Sequence, residues 1–233
     1  RYYIANVNDM KSGSIEKWLL SKLSVSNSLL ESKSIKDRIV LEDVPSGREY
    51  LEPIIDAMKK NRFIHICYFN YWKGDTRDHY VMPLCVKLFR QRWYMVGRNW
   101  PAGRNLVFSL DRIRDFRISS HTFKFPEDFD TQEYFNGCIG VIPGDRCGIE
   151  KVKIKVSSGQ ANYLRDLPLH DSQQETEQTD EYSIFELQVR PTFDFQQELL
   201  WNGEDLEVLE PLWLRKEVAG KIKRMWNRYK EDE

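Results

Sequence analysis

Arg112 stands in the run Phe108-Ser109-Leu110-Asp111-Arg112-Ile113, a guanidinium set among apolar side chains. Read as a strand, the run puts Arg112 on one face with Phe108 and Leu110 and turns Asp111 and Ile113 to the other. Burying a guanidinium alone is costly, so Arg112 must be paired or must line a cavity. Two uses remain open: contact with an anionic ligand, or a structural salt bridge to Asp75, Asp78 or Asp111. Ser109 could donate to a phosphate oxygen or bond locally, and His79 could serve as a neutral partner or gain charge near about pH 6. In Arg92-Trp93-Tyr94, alternation sends the two rings to opposite faces, with Trp93 expected to pack and Tyr94 to reach solvent or ligand. Tyr68 reads as a core ring with a satisfied hydroxyl. These side chains suit anion recognition and bring no bond-making chemistry.

Charge points the same way. The formal net charge is −1, from 35 Lys and Arg against 36 Asp and Glu. Yet residues 59–117 hold thirteen Lys and Arg against four Asp and no Glu, a surplus of nine. Arginine dominates that surplus and suits bidentate contact with phosphate or carboxylate; a solvated surface of scattered charge is the plainer reading. Lys87, Arg90 and Arg92 read as the solvated edge of a hairpin.

Several classes fall away. No Gly-x-Ser-x-Gly, Gly-rich phosphate loop, His-Glu-x-x-His or dinucleotide fingerprint is present. His65 and Cys67 share a strand face, but a Cys–His nucleophile needs a third, orienting group, and none is evident. Cys67, Cys85, Cys138 and Cys147 show no Cys-x-x-Cys spacing, and the four His are scattered, so neither a metal nor a cofactor is expected. Reduced thiols suggest an intracellular, cytoplasmic protein. No apolar run approaches the ~18 residues of a membrane span. The chain begins at Arg1 and is read as a fragment.

These residues must be positioned by short elements. Tyr2-Tyr3-Ile4 reads as a strand end and Ser14 as the cap of a helix, within a linker over 1–45. Ser46 and Glu49 fit a capping box for a helix carrying Leu51, Ile54, Ile55 and Met58, in which Pro53 forces a kink or a later start. From Arg62 the period becomes alternating. Strands are expected at Phe63–Phe69, His79–Cys85, Lys87–Arg90 with Trp93–Gly97, Leu106–Ile113 and Asp115–Ser119, with Asn99–Asn105 as a turn. About five short strands in ~60 residues suggest a small barrel or sandwich over 46–125. A crossing segment, 126–148, follows. Then come strand 152–156, helix 159–167, strands 172–176 and 183–189, helix 193–201, strand 206–209 and helix 212–229. That βαββαβ order over 149–233 fits a split-βαβ unit.

Four motifs in that central stretch resemble one family. Arg92-Trp93-Tyr94-Met95-Val96-Gly97 resembles the Trp-Tyr-Leu signature that names the WYL domain, with Met95 in place of Leu. Ile64-His65-Ile66-Cys67-Tyr68 resembles its opening strand, Val81-Met82-Pro83-Leu84 its Pro-bearing strand, and Phe108-Ser109-Leu110-Asp111-Arg112-Ile113 its Leu-Asp-Arg-Ile strand. His170-Asp171-Ser172-Gln173, Trp201-Asn202-Gly203 and Val208-Leu209-Glu210-Pro211 resemble the C-terminal extension that often follows a WYL domain. Two positions depart from the pattern: Leu106 and His79 stand where members often carry Arg, and each removes permanent positive charge.

The resemblance implies the sensing and dimerising part of a bacterial transcription regulator, and not an enzyme. Its fold class would be α+β: an SH3/Sm-like β-barrel, then a ferredoxin-like domain, behind a helical linker from a winged helix-turn-helix that reads DNA. It implies an anionic ligand, a nucleotide or short nucleic acid, in a basic groove of Tyr68, His79, Tyr94, Arg104, Ser109 and Arg112. It also implies a homodimer that does not engage membranes. Two other readings stay open: a module that binds single-stranded nucleic acid directly, and a ligand-free oligomerisation scaffold in which Arg112 only staples the barrel.

Overall fold

The computed structural model describes residues 47–143 and 147–230, and the features read at Tyr2-Tyr3-Ile4, Ser14 and Ser46 lie outside the described residues. The described residues form an α+β arrangement of two antiparallel sheets.

Helix α1 (Arg48–Lys59) buries Ile54 and Ala57 completely. No side chain caps it; Gly47 stands at the N-cap with φ +62°. A Cβ on Gly47 would lie 2.4 Å from the carbonyl carbon of Leu110, so only glycine fits both the backbone and the contact. The later helix start replaces the expected capping box.

The first sheet is built from β1 (Arg62–Asn70), β2 (Asp75–Phe89), β3 (Arg92–Trp100), β4 (Arg104–Ser109) and β5 (Ile113–Thr122), side by side in the order β4-β3-β2-β1-β5. Alternation turns Ile64, Ile66 and Tyr68 inward, where they meet Val81, Met95, Phe108 and Leu110. Two of the expected strands, His79–Cys85 and Lys87–Arg90, are one strand. Its register slips between Pro83 and Cys85, so one extra residue breaks the alternation without ending the pairing. Beyond the slip Val86 faces the inner core, while Cys85 joins Val96, Leu84 and Phe129 in a second cluster on the opposite face. Conversely, the expected Leu106–Ile113 strand is two strands, split by a 3-10 turn over Leu110–Arg112.

The sheet is strongly curled. Tyr68 on β1 and Phe108 on β4 are three places apart in strand order, yet their ring centroids are 5.1 Å apart. In a flat sheet three steps would span roughly 14 Å. The curl stops short of closure, since among the described residues no ladder joins β4 to β5.

The crossing segment carries one short helix, α2 (Thr131–Tyr134), capped by Asp130. It is tied to both sides. Lys87 Nζ donates to Gly140 O at 2.6 Å, and Asp194 Oδ2 accepts from the N–H groups of Val141 and Ile142 at 2.8 and 3.0 Å. Lys87 is therefore half-buried rather than solvated, and that burial lowers its amine pKa. Arg90 likewise pairs with Glu198 at 2.7 Å.

The βαββαβ succession expected from the sequence is present as β6 (Glu150–Ser157), α3 (Ser158–Asp166), β7 (Gln174–Gln178), β8 (Tyr182–Val189), α4 (Phe193–Trp201) and β9 (Leu206–Glu210), followed by α5 (Leu212–Trp226). Its strands lie in the order β7-β8-β6-β9, each pair antiparallel. Val152, Ile154 and Val156 alternate into a core shared with Phe185, Leu187 and Phe195. Among the described residues no helix is long and apolar enough to cross a membrane.

Candidate ligand cleft

The β1–β2 pairing sets Tyr68 opposite Arg77 and Asn70 opposite Asp75, while Ile66 faces His79. Strand alternation then puts Tyr68, Asn70, Arg77 and His79 on the inner face, toward which β4 sends Leu106 and Phe108. Because the sheet curls, the two groups meet around a cleft of about 230 Å³. Three ring edges (Tyr68, His79, Phe108) and the aliphatic chain of Leu106 form its apolar walls, with β4 at Val107 closing the side. Asn70 and Arg77 supply the polar groups.

Tyr68 is fixed on every side. Its hydroxyl accepts from the Ser109 N–H at 3.0 Å, and its ring meets Phe108 and His79 edge-on, at 5.1 and 6.3 Å between centroids. Burial raises the phenol pKa, so the ring stays neutral. His79 Nδ1 lies 3.4 Å from Asn99 Oδ1, and its ring packs 5.2 Å from Phe108. Arg77 is exposed and only loosely held, with Nη2 3.4 Å from Asp75 Oδ2. Its Nε also lies 3.4 Å from that same carboxylate oxygen, so an incoming anion would compete with Asp75 for the guanidinium.

The six residues named from the sequence separate into three places. Tyr68 and His79 line the cleft. Arg112 and Arg104 flank it. Arg112 is carried by the 3-10 turn rather than a strand, so the face assigned to it by alternation does not apply. It donates Nε and Nη2 to Phe69 O at 3.0 and 2.9 Å, and its guanidinium lies 4.7 Å from the Tyr68 ring centroid and 4.4 Å from that of Tyr71. Among the described residues it has no carboxylate partner, so the salt bridge to Asp75, Asp78 or Asp111 is not formed. Arg104 is exposed, opposite Asn99 at the start of β4. Tyr94 and Ser109 lie opposite one another on the far face of the sheet. There Ser109 Oγ bonds Asp111, which also meets Arg92 at 3.7 Å, and burial raises the Tyr94 phenol pKa. Trp93 packs on the inner core.

Asn70 and Arg77 were not among the residues named from the sequence. The signal was available, since Asn70 follows Tyr68 by two and Arg77 precedes His79 by two, the spacing that shares a strand face. The two positions that depart from the family pattern, His79 and Leu106, both border the cleft, leaving Arg77 as the guanidinium among its lining residues. No group of three or more His, Cys, Asp or Glu stands together as a metal site among the described residues.

Two family models match the chain: the WCX domain over residues 149–226 and the WYL domain over residues 49–118. No curated protein sequence matches it. Among solved structures the chain is similar to proteasome accessory factor B/C (PafBC) of Arthrobacter aurescens, at 17% identity and a TM-score of 0.36, over 78% of this chain and 27% of that one. It is also similar to a CRISPR Cas-related protein, at 12% identity and a TM-score of 0.47, over 79% of this chain and 53% of that one. The chain thus spans about a quarter of the first protein's length and about half of the second's.

Proposed function

Since the chain belongs to the WYL-domain family and carries a WCX domain behind its WYL domain, we propose that it is the sensing portion of a transcription regulator, with the ligand held in the cleft of the curled sheet. The observation that carries this reading is the convergence of three ring edges and an exposed guanidinium, held at 3.4 Å by Asp75, around one concavity. Such a site takes a flat ring against its apolar walls and an anionic group at Arg77. At about 230 Å³ it is smaller than the ~300–1,000 Å³ typical of drug-sized sites, so it suits one ring system with its phosphate or carboxylate. A mononucleotide has that chemistry.

In this reading the first sheet is an SH3/Sm-like barrel left unclosed and the second a ferredoxin-like domain, with boundaries at 46–125 and 149–233. The ligand is bound and not transformed. Occupancy shifts the balance between arrangements of a cytoplasmic homodimer, and through it the DNA-reading unit at the N-terminal side.

The test titrates the chain with a panel of nucleoside monophosphates, followed by tryptophan fluorescence. Saturable binding is expected, weakened roughly tenfold or more by Arg77→Met, which removes a charge-assisted bond, and abolished by Leu106→Trp, which fills the cleft. Absence of saturable binding, or equal affinity in both variants, would sink the proposal.

A further inference from the structure

Helix α5 outruns the domain it packs on. Its first two turns bury Leu214 and Val218 in the core of the second sheet. Ile222 continues that row one turn further, and Met225, Trp226 and Tyr229 complete the i, i+3, i+4, i+7 spacing of a single helix face. The path stays helical past Trp226, since the Asn227 N–H donates to Lys223 O at 3.0 Å and the Lys230 N–H to Trp226 O at 3.1 Å. Yet every residue from Ile222 to Lys230 is exposed, and the four apolar side chains stand 50%, 51%, 61% and 81% open. The stripe that docks the start of the helix is left uncovered at its end.

Cations border the stripe. From Val218 to Lys230 the sequence holds Lys221, Lys223, Arg224, Arg228 and Lys230, and no acid. Lys221 and Arg228 flank one side of the apolar row, and Lys223 and Lys230 the other, each pair two turns apart. Lys221 is committed inward, bonding the Gln196 side chain and lying 5.3 Å from the Phe193 ring centroid. Among the described residues the ion pair of α5 is Arg215 with Glu207 at 2.5 Å, near the helix start, so Lys223, Arg224, Arg228 and Lys230 have no carboxylate within ion-pair distance.

Apolar chains, two rings with polar handles and flanking cations on one helix face suit a segment that lies in a membrane interface. The rings favour the boundary between acyl chain and headgroup, and long cationic chains reach up to phosphate. A second copy laid stripe to stripe would set these cations against their own kind. A protein groove would need fixed partners for an indole N–H and a phenol O–H, which headgroups and water supply without prior fit. We propose that the end of α5 rests on an anionic lipid surface. Ile222, Met225, Trp226 and Tyr229 enter the acyl boundary, while Lys223, Arg228 and Lys230 meet the phosphates. This stands on a different element from the cleft, and it departs from the expectation that the chain does not engage membranes.

The test is co-sedimentation of the 233-residue chain with vesicles of mixed phosphatidylglycerol and phosphatidylcholine, beside vesicles of phosphatidylcholine alone. Binding to the anionic vesicles is expected, well above that to the neutral ones and falling as salt screens the headgroups. Trp226→Ala should weaken it roughly tenfold through the loss of one inserted ring. Lys223→Gln should weaken it about fivefold through the loss of one cation. Three acids, Glu231, Asp232 and Glu233, follow in the sequence, and replacing them with Gln, Asn and Gln should tighten binding. Thermal melting of Trp226→Ala should match the unaltered chain, because the ring is exposed, and its affinity for nucleoside monophosphates should be unchanged. No binding to anionic vesicles would overturn the proposal in favour of a protein groove. Equal binding to neutral vesicles would overturn it too, as would indifference to Trp226→Ala, which would reduce the contact to plain charge attraction. So would self-association of the chain that Trp226→Ala abolishes.

Discussion

In the second sheet, cations are met by carboxylates. Glu186 on β8 lies 2.6 Å from Lys151 and 3.4 Å from Lys153 on β6, and Arg165 on α3 grips Glu175 through Nε and Nη2 at 2.9 and 2.6 Å. At the cleft end of the first sheet, Arg112 rests on a backbone carbonyl and two rings, Arg104 is exposed, and Arg77 holds Asp75 only at 3.4 Å. The same residue types do two jobs. Where acid and base are matched, charge contributes to folding; where they are not, it remains available to a visitor.

That contrast can be broken at its most buried polar contact first. Tyr68→Phe keeps the ring but leaves the Ser109 N–H without its acceptor, and should cost about 1–3 kcal/mol in urea unfolding. A smaller loss would mean that the hydroxyl serves only the cleft. Acid comes next. Hydrogen bonds from Arg165 depress the Glu175 pKa from 4.5 to about 2. A depressed carboxylate contributes stability that is present above its unfolded pKa and lost as pH falls through its folded one. Stability should therefore decline between pH 4.5 and about 2, and Glu175→Gln should flatten that part of the curve measured by urea unfolding at each pH. The smallest effect belongs to Arg104→Ala, which should stay within about 0.5 kcal/mol of the unaltered chain, since the residue is exposed and has no ion-pair partner among the described residues. A larger loss would show that Arg104 belongs with the matched charges after all.

Legibility differed between the same two regions. In the second, Val152, Ile154 and Val156 against Phe185, Leu187 and Val189 give a clean period of two, and α4 begins and ends at the residues expected. In the first, the strands were recognised but their breaks were misplaced. The break expected after Cys85 is instead a register slip between Pro83 and Cys85, where the missing N–H of Pro83 is tolerated. Leu110-Asp111-Arg112 carries no turn signal, and its tight turn is set by packing that includes Gly47 against Leu110. Local pattern cannot contain that contact. The misplaced break took Arg112 out of the strand, so alternation no longer fixes where it points, while Tyr68 and His79, far from either break, were placed with the cleft. Tyr94 and Ser109 went astray for a different reason: both are half or more buried, but on the sheet's far side, and burial alone does not say which side.

The slip at Pro83 makes the length of β2 as constrained as its composition. Deleting one residue there would exchange the two faces for the rest of β2, sending Val86 out toward the second cluster and the Lys87 ammonium into the inner core. Lengthening the tip near Trp72 would disturb no such parity. Natural variants of this chain should thus differ in size at the hairpin end and hold their count at the middle of the strand.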